Sequence, residues 1–112
     1  MASDVAGDTR SIGALIRALA DEDCDVRQGA ASALGATGDY RAVKALVELL
    51  EEDDEEDVRE EVVWSLGRIR NAKAIQLLRQ AASDKSAHVR RAAAEALASI
   101  GAEEALTNQL SQ

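Results

Sequence analysis

Apolar residues recur along this chain at the three- and four-residue spacing of helices buried on one side. Over 24–37, Val26, Ala30, Ala33, Leu34 and Thr37 fall on one face at 3.6 residues per turn. Asp23 and Ser86 stand three residues before Val26 and Val89, where a cap for this helix type belongs. Gly38 supplies a stop, and Asp39 is placed to cap the helix that follows, as Asp8 and Asn71 are elsewhere. The pattern predicts seven helices, at about 9–20, 24–37, 40–51, 56–69, 72–82, 87–100 and 102–110.

These helices repeat. Asp25-Val26-Arg27-Gln28-Gly29-Ala30-Ala31-Ser32-Ala33-Leu34-Gly35 returns 32 residues later as Asp57-Val58-Arg59-Glu60-Glu61-Val62-Val63-Trp64-Ser65-Leu66-Gly67. A third copy, His88-Val89-Arg90-Arg91-Ala92-Ala93-Ala94-Glu95-Ala96-Leu97-Ala98, follows after 31 more. A second segment is interleaved at the same interval, starting at Asp8, Asp39 and Asn71, with a degenerate last helix over 102–110. Two alternating helix types with one period predict a single domain over 1–112, with repeat copies at about 7–37, 38–69 and 70–100.

The string Val-Arg-x-x-Ala-Ala-x-Ala-Leu-Gly at 26–35, followed by Gly-Asp-x-x-Ala-Val-x-x-Leu at 38–46, resembles the short HEAT-like repeats named after phycobilisome bilin lyases. The resemblance runs from about Gly7 to Leu106. It implies an all-α, right-handed α-α superhelix of about three helical hairpins, with the second helix type lining the concave surface. His88 in place of Asp25 and Asp57, and Ala98 in place of Gly35 and Gly67, depart from the pattern.

Composition narrows what such a chain does. Phe and Pro are absent, Trp64 and Tyr40 are the only aromatics, and 46% of residues are hydrophobic, which favours helices over strands and excludes a disordered acidic tail. A net charge of −8 speaks against nucleic-acid binding as the main activity. No apolar run approaches a membrane span, and the expectation is a cytoplasmic, acidic protein. Cys24 sits among Asp21, Glu22, Asp23 and Asp25, whose field opposes a reactive thiolate. With one histidine, no phosphate loop and no tuned acid–base pair, the sequence presents no catalytic constellation, and no metal or cofactor is expected.

The remaining candidates concern binding. If Ile12, Leu15, Val43, Leu46, Ile75 and Leu78 face the core, Arg10, Arg41 and Lys73 form a column on the opposite face, with Arg17, Lys44 and Gln76 beside it. Such a partly basic groove would take a protein partner with an acidic surface. Trp64 aligns with Ser32 and Glu95, nearly opposite the core stripe, and is a second, outer-face anchor. Arg27, Arg59 and Arg90 recur in every copy and read as structural bridges between repeats. The acidic run 51–57 reads as a solvated loop, since calcium-loop spacing is absent. The function expected is a non-catalytic protein-interaction scaffold. The alternatives are a subunit related to bilin lyases or handling phycobilisomes, and a self-assembling structural module; the state expected is a monomer, or a weak homo-oligomer through the ends of the solenoid.

Overall fold

The computed structural model describes residues 9–111, with side chains from Ser11 onward, and every regular element in that range is helical. In chain order these are α1 (Thr9–Ala18), α2 (Cys24–Thr37), a 3₁₀ turn (Tyr40–Ala42), α3 (Val43–Glu52), α4 (Glu56–Ile69), α5 (Ala72–Ala81) and α6 (Ala87–Leu110). Short polar residues start the helices for the reason their sequence positions suggest. Asp23 accepts from the N–H of Asp25, Asp39 from Arg41, Asn71 from Ala74, and Ser86 from His88 and Val89. Asp8, expected to cap α1, lies outside the described residues. Gly38 ends α2 in the left-handed conformation at φ 68°, and Arg70 takes the same conformation at the end of α4.

The sequence places Gly101 where Gly38 and Arg70 stand, yet the helix runs through it. The two helices expected at 87–100 and 102–110 are therefore one, and the described residues contain six α-helices, not seven. The residue after each stop accounts for the difference. Asp39 and Asn71 cap a new helix, whereas Ala102 has no side chain to do so, and Ala102-Glu103-Glu104-Ala105 are all good helix formers. A break at Gly101 would leave amide groups without partners. Continuing the helix satisfies them.

The helices form two layers, consistent with a shortest dimension of 17 Å. One layer is α2, α4 and α6. The other is α1, α3 and α5, each packed on the helix that follows it in sequence. Between them lies a core of aliphatic side chains in which Leu34, Leu46, Leu66, Leu78, Val58, Val62, Val63 and Val89 are fully buried. The layers are not equally tight. Contacts of α2 with α4, and of α4 with α6, are the most extensive in the molecule, while α3 meets α5 only marginally. Small residues permit this closeness. A Cβ on Gly35 would lie 2.6–2.7 Å from Ser65 Oγ, Cα and Cβ, and one on Gly67 would lie 3.2 Å from Ala96 Cβ. Ser65, itself buried, donates its hydroxyl to the carbonyl of Ala31 at 2.6 Å, tying α4 to α2.

Val26 departs from expectation. Assigned by its phase to the core face, it is 40% exposed, whereas its repeat equivalents Val58 and Val89 are fully buried. Val58 and Val89 each have an earlier helix of the tight layer at their side, and α2 is the first of that layer among the described residues.

Candidate functional site

The recurring arginines take one geometry. In the first turn of α2, Arg27 donates from Nη1 to the carbonyls of Asp21 and Glu22, at 2.8 and 3.0 Å. Its Nε and Nη2 edge faces Asp53 in the next repeat, at 2.7 and 3.3 Å. Arg59 copies this on α4: Nη1 to the carbonyl of Asp53, and Nε and Nη2 to Asp84. Arg90, on α6, donates from Nη1 to the carbonyls of Asp84 and Lys85. The side chains of Arg59 and Asp53 are only 4% exposed, so these bridges lie where solvent screens little.

The carboxylates of this ladder were not legible as such. Asp25 and Asp57, which precede two of the arginines, are exposed at their helix starts, and the partners are Asp53 and Asp84 instead. Asp21, Asp53 and Asp84 share one spacing and one local role, each accepting from the N–H two residues on. Their interval of 32 and then 31 residues is the signal that identifies them. In the run 51–57, expected as a solvated loop, Asp53 is thus an exception, a structural carboxylate among exposed neighbours.

The residues of the basic column are spread over separate elements. Arg17, Arg41, Lys44, Lys73 and Gln76 are exposed on α1, the 3₁₀ turn, α3 and α5, and the side chain of Arg10 lies outside the described residues. Arg41 is held by Asp39, the cap at its own turn, and that guanidinium, with its backbone N–H, keeps the Asp39 carboxyl below its ordinary pKa. The clefts within this layer are lined by other residues. One, of about 340 Å³, lies between α1 and α3 against Ile16, Leu19, Leu49, Glu48 and Glu52. Another, of about 390 Å³, lies between the ends of α3 and α5, with Glu51, Asp53, Asp54 and Asp84 outnumbering Arg59 and Lys85. The helices that pack most closely belong to the other layer, α2, α4 and α6.

That tight layer carries Trp64. Expected to point outward, its ring is half-buried, packed at the border of the core. It lines a cleft of about 290 Å³ between α4 and α6 with Gly67, Arg68, Ala96, Ser99, Ile100 and Glu103. Arg70, in its left-handed cap, pairs with Glu103 at the rim. On the α2 side the aligned residue is Ser32, whose carbonyl receives a long 3.5 Å contact from Arg68. Glycine, alanine and serine around the indole leave its edge reachable.

At the start of α2, ligand atoms of Asp23, Cys24 and Asp25 come within 4.8 Å of one another, but the Asp23 carboxylate is engaged in capping. Partial burial and the neighbouring Asp25 and Glu55 push the Cys24 thiol above its ordinary pKa, away from a reactive thiolate. His88 is exposed on α6. Among the described residues, no helix is long and apolar enough to cross a membrane.

No curated protein matches the chain. The family profile of HEAT repeats matches it twice, over residues 2–66 and 43–108. These matches take in both helix layers and the Arg–Asp ladder between them. The chain belongs to the HEAT-repeat family.

Proposed function

We propose that this chain is a non-catalytic scaffold for protein–protein interaction, the role HEAT repeats generally serve. Its hairpins stack as a right-handed superhelix within one domain, with the tight layer inside, and the partner docks across that layer on Trp64. The observation that carries this reading is the half-buried indole beside a cleft on the middle helix of the closely packed row. Aromatic anchors of this kind, set in a pocket and ringed by near-neutral contacts, supply most of the energy of many interfaces. A partner loop bearing an apolar side chain next to a carboxylate fits, since Arg68 is exposed beside Trp64. This reading moves the contact surface from the column of Arg17, Arg41, Lys44, Lys73 and Gln76 to the opposite layer.

The test is affinity capture with the wild-type chain, Trp64→Ala, and a Lys44→Glu/Lys73→Glu variant, each checked for helicity. The expected outcome is a partner retained by wild type and the double variant and lost by Trp64→Ala. Titrating the purified partner should also shift the fluorescence of this sole tryptophan. Loss with the double variant alone would return the site to the basic column. Capture of a bilin-carrying protein would replace a general scaffold with the phycobilisome-handling role that the repeat resemblance implies.

A further inference from the structure

The Arg–Asp ladder is incomplete at both ends of the stack, and the two incomplete ends complement each other. Arg27 and Arg59 present their Nε and Nη2 edges to Asp53 and Asp84. Arg90 is held by the same pair of carbonyl contacts, so its guanidinium is already fixed in place, yet no carboxylate among the described residues meets its free edge. At the other end the Asp21 carboxylate accepts from the N–H of Asp23, as those of Asp53 and Asp84 do from Glu55 and Ser86, but no arginine among the described residues reaches that carboxylate. One end therefore displays the donor half of the bridge and the other the acceptor half.

The packing surfaces around these groups are complementary in the same sense. On α2 the uncovered side shows Val26, whose equivalents Val58 and Val89 are buried by a neighbouring helix. On α6 the uncovered side shows Ala94 and Ala98, at the positions where Ala31 and Gly35 receive α4. Charge agrees: Asp21, Glu22, Asp23 and Asp25 are exposed at the first end, and Lys85, Arg90 and Arg91 at the other.

We propose that the α6 edge of one copy docks on the α2 edge of a second copy, with Arg90 of the first bridging Asp21 of the second. The contact is heterologous, head to tail, and each copy added presents a fresh edge. Ala98 in place of glycine requires the junction to open slightly, because the closest internal precedent, a Cβ on Gly67 against Ala96, already lies at 3.2 Å. The association is accordingly weaker than the internal contacts and is sought at high concentration.

The experiment is sedimentation velocity on the 112-residue chain from about 10 μM to about 1 mM, a range that covers weak self-association. Wild type should climb through dimer and larger species with no preferred stopping point. Asp21→Lys and Arg90→Glu, each confirmed helical by circular dichroism, should each weaken association by about tenfold or more, because like charges then face each other. A one-to-one mixture of the two variants should associate again, since the intact Arg90 of one meets the intact Asp21 of the other. A wild-type chain that stays monomeric throughout overturns the proposal. So does a species that stops at a dimer, or single variants that associate as well as wild type.

Discussion

The two helix layers of this protein are built from the same kinds of residue and do different things. In the α2–α4–α6 layer, glycine, serine and alanine let backbones approach until one added methyl group has nowhere to go. In the α1–α3–α5 layer, α3 and α5 stand apart, clefts open between the helices, and glycine is not under pressure. A Cβ on Gly13 would meet only the flexible end of Arg17, at 3.6 Å. The bridging arginines divide in the same way. Arg59 is buried and engages two repeats, while Arg41 closes an exposed local pair within its own turn. Close packing is concentrated in one layer, the layer on which we propose that the partner docks.

Arg59→Ala probes the contrast most severely. It strips the guanidinium from Asp84, which keeps only the N–H of Ser86, and from the carbonyl of Asp53 in a poorly solvated place, and should cost about 3 kcal/mol in urea unfolding. Arg41→Ala should shift the midpoint far less, and equal shifts would erase the distinction between the layers. Gly35→Ala comes next, with a loss of about 2 kcal/mol from overpacking against the Ser65 backbone. The matching Gly13→Ala should be neutral or stabilising by up to about 1 kcal/mol, because alanine is the better helix former. Pairing Gly35→Ala with Ser65→Gly in a double-mutant cycle should recover part of the loss, which locates the clash.

The smallest effect is in pH. Asp39 has a folded pKa below its unfolded one, so its ion pair with Arg41 stabilises the protein above about pH 4, and the contribution disappears as pH falls through the folded value. Asp39→Asn keeps a capping side chain but removes the charge. It should lower Tm slightly at pH 7, and the difference from wild type should shrink as pH falls below about 4.

Much of this architecture was legible in the chain because it repeats. The 32- and 31-residue intervals located both helix types, and Asp23, Asp39, Asn71 and Ser86 start helices as small polar residues do. The failures share a physical cause: they depend on neighbours that a one-dimensional phase does not describe. Gly101 matches Gly38 in register, but the residue after it determines whether a helix stops. Val26 has the phase of a core residue, and burial also requires a helix beside it. Asp53 sits in an acidic run, and its register with Asp21 and Asp84 acquires a meaning only with the approach of Arg27 from another repeat. The spacing of the two layers follows from pairs such as Gly35 and Ser65, 30 residues apart, whose fit becomes visible only once the helices are placed.

The unbroken passage of α6 through Gly101 turns the end of the stack into a lever. Its 24 residues span about 36 Å at 1.5 Å each, and everything from Gly101 to Leu110 is exposed. Whatever is joined at its tip is held at a set reach and bearing rather than on a tether. Adding one residue within the helix would advance the tip by about 1.5 Å and swing its bearing by about 100°. The direction of any group joined there would therefore be set by helical register, one residue at a time.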